Sequence, residues 1–244
     1  MTRPLILSIE TAALGGSVFL GRGDVELAAK IGRSDVSHSS SLLSDINDCL
    51  NNAGVSLSDI DLFACASGPG SFTGLRIGIA TVKGLAATLD RPSLGIPTLR
   101  AIAHAAGPSS VTIALLPAGR GEVFAQMFSV SADSIPEKDT AAHLSPPKLI
   151  ERYGGLADVL WAGNGAHNVR DFLGEQAEQR GLRFDEVSSD VVDGWRLAPE
   201  VENLARHVAS LALRDYDAGG VQSAQSLSAI YVRPSDPELK EQCR

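Results

Sequence analysis

Apolar and polar positions follow two different periods along the first ninety residues. Leu5–Ile9 and Ser17–Leu20 read as strands on either side of Gly15-Gly16. Gly21-Arg22-Gly23-Asp24 then turns the chain into a third strand, Val25–Lys30, completing an antiparallel meander. Leu42, Ile46, Cys49, Leu50 and Ala53 recur at helical spacing, with the serine-rich run from Ser34 to Ser41 offering a cap and Gly54 a stop. Ile60–Ala66 is an apolar run of strand length. Leu75, Ile79, Val82, Leu85, Ala86 and Leu89 form the stripe of a second helix. The order is three strands, helix, strand, helix.

Val111–Leu116 and Glu122–Val130 read as two strands around Gly119-Arg120-Gly121, opening a second lobe. The polar, proline-containing stretch Ser131–Pro147 reads as loop. Val159–Ala162 is a strand that runs into Gly163-Asn164-Gly165 and then a helix to about Arg180. Pro199 is expected at a helix start, ahead of a stripe at Val201, Leu204, Ala205, Val208 and Leu211. Beyond Tyr231 the chain is charged and expected to be mobile. No sequence repeat is visible, and the pattern suits a mixed-sheet α/β protein.

At 244 residues the chain exceeds the usual single domain, so two lobes are expected. A 44% hydrophobic content against 20% charged supplies a substantial core and excludes a disordered chain. The formal charge of −8 argues against a large phosphate-neutralising surface. Cys49 lies on a helical apolar stripe and Cys65 in an apolar strand, which points to buried thiols, and Cys243 is remote from both. Met1-Thr2-Arg3-Pro4 leads directly into a strand, and no apolar run is long enough to span a bilayer, so a cytoplasmic protein is expected.

The most informative stretch is Gly68-Pro69-Gly70-Ser71-Phe72-Thr73-Gly74-Leu75-Arg76-Ile77-Gly78, a glycine-rich turn between a strand and a helix. Thr73 is placed to cap that helix, and free N–H groups at a helix start make a potential anion site. It is not a P-loop, since no lysine precedes Lys83, and three residues rather than two separate Gly70 from Gly74, which breaks the dinucleotide fingerprint. Spacing leaves two readings open: a turn that packs the helix closely onto the sheet, or a nucleotide-binding loop.

The run resembles the signature of the TsaB (YeaZ) family of tRNA threonylcarbamoyladenosine synthesis. Leu5–Thr11 is similar to that family's opening strand, His38-Ser39 to its His-Ser pair, Arg120–Phe124 to the end of its Asp-Ala-Arg-x-x-Glu-Val-Tyr segment, and Tyr231-Val232-Arg233 to its Tyr-Leu-Arg. The similarity is strong to about residue 125 and thin from there to about residue 225. It implies a two-lobed actin-like ATPase fold: residues 1–104 with a returning segment near 200–233, then 105–199, then a tail at 234–244. Glu10-Thr11 stands where active members of the superfamily carry Asp followed by a small residue, and a hairpin-turn role is favoured there. Glu10, Thr11, Gly68, Gly70, Ser71, Thr73 and Gly74 are the candidates for a vestigial nucleotide loop.

The resemblance also extends to TsaD, the catalytic relative, which carries a His-x-x-x-His metal pair after a Gly-Ile-Pro-like element. Here Gly95-Ile96-Pro97 is followed by Arg100 in place of the first histidine, with His104 retained. A permanently protonated guanidinium cannot ligate a metal. His143, His167 and His207 lack metal-ligand spacing, and Ser71 lacks the nucleophile-elbow pattern. Pro117-Ala118-Gly119 replaces the family's Asp-Ala-Arg. No catalytic residue, metal or bound cofactor is therefore expected on this chain.

The implied role is a scaffold that pairs with TsaD and is joined by TsaE, with ATP and metal in the partner subunits. It would meet tRNA only through the complex, homodimerise when alone and have no membrane role. The family's partner surface is built by the first two long helices, so His38, Leu42, Ile46, Leu50, Leu75, Ile79 and Val82 are the interface candidates, although an apolar stripe ordinarily serves the core; His38 equally fits a cap at its helix start. The alternative is a self-sufficient actin-like ATPase or small-molecule kinase, favoured by the glycine loops at Gly68–Gly74 and Gly163–Gly165. A metallopeptidase is weaker still.

Overall fold

The computed structural model describes residues 3–23, 25–33, 38–186, 194–221 and 223–232, with the backbone alone at 38–40 and 186. Arg233 and the expected tail at 234–244 lie outside the described residues, as does the side chain of His38. The chain divides into two compact units, Met1–Ala101 with Glu202–Ile230 and Ile102–Val201 with Tyr231–Arg244.

The first unit begins with β1 (Leu5–Glu10), β2 (Ser17–Arg22) and β3 (Val25–Ile31), followed by α1 (His38–Ala53). Next come β4 (Leu62–Gly68), α2 (Phe72–Leu89), β5 (Ser93–Pro97) and α3 (Thr98–Ala106), the last continuing into the second unit. The sheet order is β3-β2-β1-β4-β5, with β1–β2 and β2–β3 antiparallel and β1–β4 and β4–β5 parallel. Every residue of β1 and β4 is buried. Central parallel strands are covered on both faces, which is why they read as continuous apolar runs. Leu5, Leu7 and Ile9 share a core with Leu42 and Ile46 of α1 and Ile79 and Val82 of α2.

β4 starts two residues later than the apolar run suggests. Ser56 closes a short 3₁₀ turn at Leu57–Asp59 by donating its backbone N–H to Asp59 Oδ2 at 2.8 Å, and Ile60 packs into the core before the strand begins. Gly54, at φ +65°, ends α1 as expected.

The second unit runs β6 (Ser109–Gly119), β7 (Glu122–Val130), β8 (Ala142–Leu144), α4 (Pro146–Tyr153), β9 (Val159–Ala162), α5 (Asn164–Asn168) and α6 (Arg170–Glu178). Two short strands, β10 (Phe184–Glu186) and β11 (Trp195–Leu197), complete its sheet in the order β10-β11-β9-β6-β7-β8. β6–β7–β8 is an antiparallel meander, and β9 and β11 add in parallel beyond β6. This repeats the wiring of the first unit, with β6 standing for β1 and β9 for β4. The stretch Ser131–Pro147 is therefore more than loop: it holds β8 and, at Ser145-Pro146, the start of α4, with proline in its first turn.

The helix expected after Gly165 is two helices, broken at Val169 (φ −113°, ψ 18°). α7 (Leu204–Asp217) returns to the first unit and starts five residues after Pro199. Asn203 is its cap, its side chain accepting from Arg206 N at 3.1 Å, and a residue with a capping side chain marks a helix start better than proline alone. Ser8 Oγ donates to Ala205 O, and Ala205 N donates to Ser17 Oγ. α7 therefore covers the sheet face opposite α1 and α2.

Candidate functional site

The glycine-rich turn is built against the turn that follows β1. A Cβ at Gly70 would lie 2.5 Å from Ala12 Cβ, one at Gly74 would run into the carbonyl oxygen of Thr11, and one at Gly78 into the Thr11 hydroxyl. Thr11 Oγ1 donates to Gly74 O at 2.8 Å, and Ser71 N donates to Ala12 O at 2.8 Å. Gly68 adopts φ +115°, with the Ile230 carbonyl oxygen where a side chain would begin. Close packing of one backbone on another accounts for these glycines. The cap of α2 is Ser71, whose Oγ accepts from Gly74 N at 3.2 Å, whereas Thr73 is exposed in the first turn. The expected Thr73 cap is thus corrected: the helix starts at Phe72, so a capping side chain must come from the residue before it.

The equivalent turn of the second unit uses the same device. A Cβ at Gly163 would meet Leu115 O and Ile102 Cγ2, and one at Gly165 would lie 2.7 Å from Leu115 C. In both units a glycine turn presses the start of a helix onto neighbouring backbone, that of the turn after β1 in the first and of β6 in the second.

Glu10 is 2% exposed, and its Oε1 accepts from Ala13 N at 2.8 Å. Burial raises its pKa above the usual carboxylate range, an effect the N–H groups of Ala13 and Ala12 partly oppose. The carboxyl group therefore closes the β1–β2 turn from beneath, in keeping with a hairpin role. A narrow cleft beside it is lined by Glu10, Thr11, Gly16, Lys30, Ser41 and Asp45.

Arg100 lies in the first turn of α3 and makes a bidentate pair with Asp215 of α7, Nη1 to Oδ2 at 2.7 Å and Nη2 to Oδ1 at 3.0 Å. His104 follows one turn later. Among the described residues, no three His, Cys, Asp or Glu side chains converge as a metal site would require. His143 Nε2 lies 2.9 Å from Glu122 Oε2, with its ring against Phe124, and His167 Nε2 lies 2.9 Å from Ala198 O. Burial, chiefly, pushes His207 down to about 4. The thiols of Cys49 and Cys65 are buried, and burial pushes their pKa values up to about 11 and about 12, so both stay protonated at neutral pH.

The interface candidates require correction. Leu42, Ile46, Leu50, Leu75, Ile79 and Val82 are all at most 8% exposed. They face their own sheet and core and leave no apolar surface for a partner. What α1 and α2 present outward is different. Leu43 on α1 is 69% exposed, and α2 shows Thr73, Arg76, Ala80, Gly84, Ala87 and Thr88. Sequence reasoning passed over this strip, yet it carried a signal: the side of α2 opposite the apolar stripe bears small residues where charges are usual.

The comparisons with known proteins agree with one another. A family model described as TsaD, tRNA N6-adenosine threonylcarbamoyltransferase, matches residues 33–178. The tRNA threonylcarbamoyladenosine biosynthesis protein TsaB of Escherichia coli K12 is 34% identical over 233 residues, 93% of this chain and 94% of that protein. The tRNA N6-adenosine threonylcarbamoyltransferase of Symbiobacterium thermophilum is 28% identical over 170 residues, 69% of this chain and 40% of its own length. Among solved structures, YeaZ from Pseudomonas aeruginosa matches with a TM-score of 0.70 at 25% identity, over 93% of this chain and 99% of that one. Another, described as an uncharacterised protein with similarity to peptidase YeaZ from Pseudomonas aeruginosa, reaches 0.73 at 26% identity, over 94% of this chain and 100% of that one. The mixed sheets flanked by helices are those of the actin-like ATPase fold.

Proposed function

The chain belongs to the TsaB family of tRNA threonylcarbamoyladenosine biosynthesis proteins, and from that premise we propose that it is a non-catalytic subunit of the assembly that makes this modification. It pairs with TsaD, is joined by TsaE, and supports transfer of the threonylcarbamoyl group to N6 of adenosine 37 in tRNAs reading ANN codons. The chemistry, the ATP and the metal belong to the partner subunits, and tRNA is met only through the complex. The outward strip of α2, with Leu43 of α1, is the surface on which TsaD docks and on which the chain homodimerises when TsaD is absent.

Arg100 is the observation that carries the non-catalytic reading. The position at which the TsaD resemblance expects a metal-binding histidine holds a guanidinium already committed to Asp215 through two hydrogen bonds. The glycine loop supports it from the other side, since Ser71 N and the Thr11 hydroxyl are spent on holding α2 to the β1–β2 turn.

The test is tRNA modification in vitro from separately purified components. Modification by TsaD, TsaE and the adenylate-forming enzyme only when this chain is added, with no ATP hydrolysis by the chain alone, is the expected result. Hydrolysis by the isolated chain, with no effect of its addition on modification, would overturn the reading in favour of an independent ATPase.

A further inference from the structure

After α7 the chain stays with the first unit. Ala218, Gly219, Gly220 and Val221 are exposed, and from Ser223 to Ile230 the backbone returns to the carboxyl ends of β4 and β5. Two apolar side chains anchor this segment. Ala224, in a 3₁₀ turn at Ala224–Ser226 that lies against α2, and Leu227 are both buried in the core that α2 and β4 share. Leu227 packs over Gly95 of β5, its Cδ2 3.2 Å from where a Cβ would stand. Ile230 N then donates to Ser67 O at 2.7 Å, and the Ile230 carbonyl oxygen fills the space beside Gly68.

The glycine turn ahead of α2 is therefore gripped from two sides. Thr11 and Ala12 hold Gly74 and Gly70, and Ile230 closes on Gly68. The two grips differ in strength. Thr11 and Ala12 follow directly on β1, a wholly buried strand, whereas the C-terminal segment hangs on two side chains and the Ile230 hydrogen bond, behind an exposed glycine pair. Segments with few buried apolar contacts open at a lower free energy than the unit they rest on. We infer that Ser223–Ile230 is a detachable strap that regulates docking on α2. Seated, it holds the glycine turn and the first turn of α2 in the geometry that TsaD binds; lifted, it frees that end of the helix.

This inference rests on the docking of TsaD proposed above and adds its control. Seating and docking act on the same turn, so they are linked, and linkage is reciprocal. The factor by which a lifted strap weakens TsaD binding is the factor by which bound TsaD slows strap opening, about 5- to 150-fold for couplings of this kind. A partner that lifts the strap releases TsaD without touching the outward strip of α2.

Amide hydrogen exchange of the full chain tests both halves. In the free chain the Ile230 amide should exchange through an opening nearly insensitive to dilute urea, while amides of β1 and β4 exchange only as the unit unfolds. Saturating TsaD should slow exchange at Ile230 by at least about 5-fold. Leu227→Ser with Ile230→Pro removes one anchor and the N–H that Ser67 accepts, and should weaken calorimetric binding of TsaD by the factor seen in exchange, with circular dichroism unchanged. Should that variant fail to fold, the exchange measurement on the parent chain decides alone. Gln225→Lys with Ser228→Lys, on the exposed side of the strap, should leave TsaD affinity as it was. An Ile230 amide that exchanges only with global unfolding, or equally fast with and without bound TsaD, overturns the inference. Lost binding in the Gln225→Lys, Ser228→Lys chain overturns it too, by making the strap a contact surface. A parent chain that does not bind TsaD at all strikes the docking reading itself, and the coupling with it.

Discussion

A methyl group added at Gly74 meets the carbonyl oxygen of Thr11, whereas one added at Gly84, ten residues along the same helix, meets nothing within 4 Å. Alanine is therefore expected to act with opposite signs at the two positions. Gly84→Ala should stabilise the chain by about 0.5–1 kcal/mol, the gain for an exposed helical site. Gly74→Ala should cost roughly 1–3 kcal/mol, because the obstacle is backbone and cannot rotate away. Urea unfolding of both variants is the check, and a neutral Gly74→Ala would remove the packing account of the turn. Burial also sets two opposed pH dependences. His207 is held down to about 4 against an ordinary 6.5, so as pH falls through that window the unfolded chain takes up the proton first and stability is lost, on the order of 2–3 kcal/mol. Glu10 is shifted upward from 4.5, so its contribution is full below that pH and is lost as pH rises through the folded value. Thermal melts across the acid range should show a shallower acid loss for His207→Gln and higher neutral-pH stability for Glu10→Gln.

Helices and strands are tied by contacts that periodicity does not encode. The Arg100–Asp215 pair joins α3 to α7 across 115 residues and is partly shielded, with side chains 24% and 30% exposed. Charge-assisted, bidentate and half-buried, it should be worth about 1–3 kcal/mol, lost in Arg100→Ala and only partly kept in Arg100→Lys, whose ammonium cannot form the fork. Chemical denaturation of the two variants would show that ranking, and equal losses would deny the fork its role. The strands β1 and β2 and the two long helices were legible in sequence because each buries one face or lies wholly inside, so composition follows geometry. α4 was missed because its one apolar face, Leu149, Ile150 and Tyr153, spans barely two turns and starts inside a polar stretch. The helix after Gly165 read as continuous because its break at Val169 falls on an apolar residue with no glycine or proline to mark it. The shared wiring of the two units was hidden too, since it resides in strand order while the side chains differ.

Over the whole molecule, the apolar stripes serve the interior, and this changes how partner binding must be tested. A charge at Leu75 or Ile79 would enter a core position and unfold the first unit, so lost pairing with TsaD would say nothing about the interface. The informative change adds bulk where the surface is small and open. Gly84→Arg replaces a residue with free space around it on the outward strip of α2 and improves helix propensity at an exposed site. Its melting temperature should match or exceed that of the parent, while calorimetric binding to TsaD falls below detection and tRNA modification by the reconstituted components falls with it. The acidic excess of the chain, most of which lies in the second unit, makes independent capture of tRNA a poor substitute for that contact. A folded Gly84→Arg chain that still bound TsaD would move the docking surface off α2. Lost binding with unchanged stability would place it there, on residues that contribute little to holding the first unit together.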